Sequence, residues 1–251
     1  MPRSKRDAPG FADAALFDGV VAPESGQVGA AGHRARLRHR LLTVGSEALA
    51  DHELIELLLF SALPRCDTKP IARAMIARFG SFAAALSAPV NELRGIDGLG
   101  DAGVAALKAA AAAGVRMARA EVIDRPVLAN WDRLMDYLNV VIARERIEQC
   151  RVLFLDTRNR LIADEMQSRG SVSHTPVYPR EMVKRALELQ ATAMILVHNH
   201  PSGDPTPSAA DIAMTQQVQQ AAQALGITLH DHVIVGNGTW ASFRQVGLLK
   251  G

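Results

Sequence analysis

A chain of 251 residues, 48% of them hydrophobic, is long enough for one large domain or two smaller ones with a proper core. A net charge of +2 gives no global case for nucleic acid or an anionic membrane. Two cysteines, Cys66 and Cys150, far apart and in no CxxC pattern, argue against a disulfide framework and fit a reducing compartment; with no apolar leader and no bilayer-length apolar stretch, a soluble cytoplasmic protein is expected.

Residues 1–32 are rich in Ala, Gly, Asp and Pro without period and read as a disordered tail. The folded part opens on a dense basic run, His33 to Arg40, either a solvated helix face or an arm for phosphate. The spacing of Leu54, Ile55, Leu57 and Leu58 predicts a buried helix over 51–63, capped by Asp51 and stopped by Pro64. A helix over 68–79 repeats the scheme, with Thr68 as cap, Pro70 in the first turn and Gly80 at the end. A short helix over 82–86 follows, and Pro89 precedes another. Leu93 to Gly100, LRGIDGLG, then leads into the most alanine-rich helix, from near Asp101.

That turn matches a helix-hairpin-helix. Gly98 and Gly100 allow a sharp turn and a close approach of helix-start N–H groups to a phosphate. Such a turn holds a nucleic-acid backbone without reading sequence, so non-specific DNA is one expected partner; the alternative is a tight turn between packed helices. Lys108, Arg116 and Arg119 either assist or form a solvated face. EVIDRP, 121–126, breaks the helical pattern and marks the boundary between an all-α domain over 33–124 and a second domain over 125–251.

In the second half a helix is expected over 131–143, with Leu134, Leu138, Val141 and Ile142 inward. Strands over 151–156 and 160–166 form a hairpin around Thr157-Arg158-Asn159, and a helix runs from Pro179 to about Leu189. A strand over 194–200, a helix over 208–225, a strand over 227–235 and a short strand near 240–243 complete an α/β domain with helices on a small sheet.

The chemistry concentrates in Met194 to Asp211, MILVHNHPSGDPTPSAAD. Residues i and i+2 of a strand share a face, so His198 and His200 point the same way at the strand's end. Asp211, in the first turn of the next helix, adds an oxygen. Two imidazoles and a carboxylate suit one zinc ion and leave a fourth position open, the arrangement of a catalytic site. The plainer alternative is a capping box, Ser208 answered by Asp211, beside a hydrogen-bonded turn. His230 and His232 share a face if the strand is regular, so a second metal is conceivable, but hydrogen-bonded strand residues with Asp231 as a structural group are the preferred reading. His52 and His174 stand alone.

His-x-His, seven residues, Ser, two residues, Asp resembles the JAMM signature of JAB/MPN metalloproteases. The whole string HNHPSGDPTPSAAD, with DHVIVG downstream and the glycine turn upstream, resembles the RadC family over about His33 to Leu249. Asn199 stands where deubiquitinating members carry Ser or Thr. The resemblance implies a JAB/MPN-like fold and a zinc metallopeptidase or isopeptidase acting on a peptide or protein. His198, His200 and Asp211 would hold zinc, Ser208 would stabilise the oxyanion, and a glutamate on an upstream strand would act as general base. Glu165, late in the hairpin's second strand, is the first choice for that base; Asp164, Glu181 and Glu188 are its rivals, and strand alternation does not decide among them. A DNA-binding repair or recombination protein, its second domain serving binding rather than hydrolysis, is the alternative.

Overall fold

The computed structural model describes residues 30–123, 125–169 and 178–249. Most of the expected tail (1–29) and His174 lie outside the described residues, while helix α1 (Ala30–Thr43) begins before His33. The chain divides into two compact units, Met1–Ala48 and Leu49–Gly251. In the first, α1 carries the basic run with Arg36, Arg38 and His39 exposed and Leu37 buried, a solvated helix face.

The second unit opens with α2 (Asp51–Ala62), α3 (Thr68–Phe79), α4 (Phe82–Ser87), α5 (Val90–Arg94) and α6 (Gly100–Ala120). Ile55, Leu59, Met75, Leu93, Leu99 and Leu107 form their common core. Two caps differ from the sequence expectation. Ala50, not Asp51, is the N-cap of α2: the Glu53 carboxylate accepts its N–H at 3.0 Å, while Asp51 accepts from the Phe82 N–H at 2.7 Å and so pins the start of α4. Asp67, not Thr68, caps α3 through the Lys69 N–H. Gly80 ends α3 at φ +87°, a conformation that costs a glycine little.

After α6 comes α7 (Trp131–Val141), then a five-stranded mixed sheet: β1 (Gln149–Leu155), β2 (Leu161–Arg169), β3 (Ala193–Asn199), β4 (Thr228–Val235) and β5 (Trp240–Ser242). The strand order is β2-β1-β3-β4-β5; only β3 and β4 run parallel. Two helices, α8 (Pro179–Glu188) and α9 (Ala209–Gln223), make the crossovers into and out of β3. Every residue of β3 is buried, which a strand needs when helices cover both faces. On one face α7 packs Leu134 and Leu138 onto Leu153, Ile195 and Val233. On the other, α8 and α9 pack Met182, Ala186 and Val218 onto Val152, Phe154 and Leu196.

A break in register between Met194 and Ile195 lets β4 pass from Leu229 to Asp231, so His230 has no partner across the ladder. Such a bulge re-aims side chains. Asp231, 4% exposed, is held from three directions: it accepts from the Ser242 hydroxyl, the His232 N–H at 2.8 Å and the Arg244 N–H at 3.0 Å. Asp231→Ala would orphan all three donors and is expected to cost about 2–4 kcal/mol of stability, read as a lower urea midpoint.

Candidate metal centre

The apolar run of β3 carries His198 to the sheet's end on the face covered by α9. There the backbone still follows β4 for one residue, since the His200 N–H donates to the Val235 carbonyl at 3.0 Å. The chain then turns: the Gly203 N–H closes back on the His200 carbonyl at 2.9 Å, with Gly203 at φ +86°. Gly236 must be glycine, because a Cβ there would stand 2.1 Å from the Gly203 carbonyl oxygen. Ser208 then caps α9 and delivers Asp211 on its first turn.

His198, His200 and Asp211 converge as a group that could hold a metal ion. The two Nε2 atoms are 2.9 Å apart, and Asp211 places Oδ1 3.3 Å from His198 Nε2 and Oδ2 3.6 Å from His200 Nε2. Each ring's other nitrogen is engaged away from the group: His198 Nδ1 meets His232 Nε2 at 2.7 Å, and His200 Nδ1 meets the Asp204 carbonyl at 2.7 Å. Both Nε2 atoms therefore face a shared point with a carboxylate, and two nitrogens and an oxygen are a donor set that fits a borderline cation.

The electrostatics divide the histidines. Burial pushes His198 down to about 4, against the pull of Asp211, so it is neutral near neutrality. His200 is shifted up, first by its hydrogen bond to Asp211, with the Asp204 carbonyl and the Asp211 and Glu148 charges adding to it. Burial would raise Asp211, but His200, His198 and the Ser208 donors outweigh it and hold the carboxyl well below the usual range. The site thus holds a stable anion against one imidazole that is neutral and one that keeps its proton longer.

The capping box and the metal group coexist. The Ser208 N–H and hydroxyl donate to Asp211 Oδ2 at 2.8 and 2.6 Å, while the Asp211 N–H donates to Ser208 Oγ at 3.2 Å. Ser208 thereby orients Asp211 and leaves Oδ1 toward His198.

Glu165 is not brought to this group. Its partner across the ladder is Val152, whereas His198 pairs with Cys150. Two strand spacings and two residues separate the backbones of Glu165 and His198, roughly 12 Å. Arg185 on α8 grips the Glu165 carboxylate at 2.8 and 2.7 Å, and that hydrogen-bonded pairing lowers its pKa. The rivals are elsewhere too. Asp164 faces α7, bonded to Tyr137 and Arg151; Glu181 pairs with Arg180, and Glu188 with Arg185.

The sheet brings a different glutamate close. β1 runs antiparallel to β3, with Cys150 opposite His198. Glu148 stands one residue before β1, at the same end of the sheet as His198 and His200. The half-buried Glu148 acts electrostatically on both His200 and Cys150, although burial is the larger reason that the Cys150 thiol is pushed up to about 12.

Asn199 holds that segment in place. Fully buried, it accepts from the Gln149 N–H at 2.9 Å and donates through Nδ2 to the Glu145 and Ile147 carbonyls at 2.9 and 3.3 Å. Asn199→Ala is expected to cost about 2–4 kcal/mol, again read from urea unfolding. His230 and His232 part company at the bulge, so the shared face expected of a regular strand is corrected. His230 lies beside Trp131 and contacts Asn159 Oδ1 at 2.7 Å, while the fully buried His232 touches His198. Gly98 and Gly100, at φ +79° and +59°, form the exposed turn between α5 and α6.

The RadC-like JAB domain model matches residues 128–248, and the UPF0758 N-terminal model matches residues 31–105. A UPF0758 protein of Rhodobacter capsulatus is 59% identical over 213 residues, covering 85% of this chain and 100% of that protein. Another, of Ruegeria pomeroyi, is 54% identical over 217 residues, covering 86% and 97%.

Proposed function

The chain belongs to the UPF0758 family and carries its RadC-like JAB domain, and on that premise we propose that it is a zinc-dependent hydrolase of peptide or isopeptide bonds. The observation that carries this reading is the convergence of two Nε2 atoms and a carboxylate at the end of β3, with the charge of Glu148 acting on His200. His198, His200 and Asp211 would hold the ion. When bound, zinc supplies a Lewis acid for a substrate carbonyl and brings the pKa of water toward neutrality.

The remaining chemistry falls to the chain's own groups. Glu148 takes a proton from the attacking water as its oxygen bonds to the carbonyl carbon. It then returns the proton to the amine as the C–N bond breaks. Ser208 turns its hydroxyl proton from Asp211 Oδ2 to the oxygen on which negative charge develops. The test is incubation of the zinc-loaded protein with a proteome-derived peptide library and with isopeptide-linked peptides. New amino termini or released lysine side chains, abolished by a chelator, support the reading; no cleavage of either set by zinc-loaded protein counts against it.

A second reading, non-specific DNA binding through residues 33–124, rests on the exposed Gly98–Gly100 turn at the start of α6. Its surroundings do not strengthen it: Asp101 pairs with Arg94 at 2.8 Å, and Lys108 donates to the Leu86 carbonyl at 3.0 Å. Binding to a random duplex that weakens steeply with salt and is lost in Gly98→Glu supports it; no binding at low salt removes it.

Among the described residues no helix is long and apolar enough to cross a membrane.

A further inference from the structure

A chain of hydrogen bonds runs behind the metal group through residues that the proposed reaction does not use. Thr215 Oγ1 lies 2.6 Å from the Asp211 carbonyl oxygen and 2.6 Å from His232 Nδ1. His232 Nε2 lies 2.7 Å from His198 Nδ1. Thr215, His232 and His198 are 1%, 0% and 2% exposed, so water does not compete for these contacts. The His232 ring is also stacked on Phe243, with centroids 4.4 Å apart, which fixes its plane.

The polarity of the chain follows from its far end. A backbone carbonyl only accepts, so the 2.6 Å contact from Thr215 to the Asp211 oxygen requires the threonine's one hydroxyl proton. Thr215 Oγ1 is then left to accept, and His232 Nδ1 must donate to it. Among the described residues the contacts of the two His232 nitrogens are Thr215 and His198, with no carboxylate against either, and a buried ring so placed is neutral with one N–H. Its Nε2 is therefore an acceptor, and His198 Nδ1 must carry the proton that meets it. His198 Nε2 is left bare, facing His200 and Asp211.

We propose that Thr215 and His232 are positioning residues that lock His198 in the Nδ1–H tautomer, so that its Nε2 lone pair is permanently presented to a cation. Helix α9 thus does two things one turn apart: Asp211 supplies a ligand with its side chain, and with its carbonyl it dictates, through Thr215 and His232, how a second ligand is protonated. The reversed chain, with His232 Nε2–H donating to His198 Nδ1, would put the proton on His198 Nε2 and block the site. Groups that orient metal-binding histidines in this way commonly change affinity by about 10–100-fold when removed.

The inference deepens the metal-site reading, but its first test needs no metal. In metal-free, histidine-labelled protein, long-range 15N–1H spectra report which ring nitrogen of His198 is protonated. The expected result is Nδ1–H on both His198 and His232. An Nε2–H tautomer on His198 would overturn the proposal, whether or not zinc binds. The second test is Thr215→Val, which keeps the shape and removes the acceptor. Folded Thr215→Val is expected to lose the single His198 tautomer and to bind zinc about 10–100-fold more weakly in a chelator competition, with Thr215→Ser restoring both. Folded Thr215→Val with the wild-type tautomer and wild-type zinc affinity would equally overturn it. If Thr215→Val does not fold, the wild-type spectrum decides alone.

Discussion

Glu148→Gln should lower peptide-bond turnover by about 10²–10⁴-fold while leaving bound zinc unchanged. The amide keeps the size of the side chain but takes no proton at neutral pH. Glu148 is the candidate because it stands one residue before β1, two residues from Cys150 opposite His198, and its charge acts on His200. Glu165→Gln is the paired control. Its carboxylate is held by Arg185, side chains 31% and 39% exposed, and that pairing is worth no more than about 1 kcal/mol in solvent. Turnover by Glu165→Gln should stay within about twofold of wild type, since a surface pair contributes so little. Zinc content and steady-state rates on one cleaved peptide measure both. Full activity in Glu148→Gln with loss in Glu165→Gln would reverse the assignment.

The second large effect is on stability. A cation that binds only the folded chain stabilises it by about 2.7 kcal/mol at a free concentration ~100 times its Kd. Zinc should therefore raise the melting temperature of wild type, and should leave that of His198→Ala/His200→Ala unmoved. The dependence on pH has a definite sign. A bound imidazole must be neutral, so zinc displaces whatever proton the free site holds. His198 holds none near neutrality, because burial keeps its pKa near 4. His200 holds its proton to higher pH than an ordinary histidine, first because of Asp211. Affinity should therefore fall as pH drops through the raised His200 value, about tenfold per pH unit for one displaced proton. A chelator competition at several pH values reads it, and an affinity independent of pH through that range would contradict it.

Much of the architecture was legible because it rests on local rules. Apolar periodicity marked the helices and strands to within a few residues at their ends, and the i, i+2 rule placed His198 and His200 together at the strand's end. What remained hidden depends on contacts between distant segments. Asp51 resembles an N-cap, but its carboxylate is drawn to Phe82 across 31 residues, so Glu53 and Ala50 close α2 instead. His230 and His232 would share a face on a regular strand; the bulge opposite Ile195 separates them. Glu148 fell outside the expected strand, which began at Arg151. Only the pairing of β1 with β3, and the Asn199 side chain that ties 145–149 to the strand end, bring its charge to bear on His200. Glu165 had the right residue type on a strand, and the register then set it two strands away.

Binding of one zinc ion by His198, His200 and Asp211 together is the property on which the proposed activity depends. Its most direct test is elemental analysis of purified protein equilibrated against a zinc buffer, beside His198→Ala, His200→Ala and Asp211→Ala shown to be folded. Wild type should retain close to one zinc per chain, and each variant should lose most of it. Wild type without stoichiometric zinc, or folded variants that retain it, would rule out these three residues as its ligands.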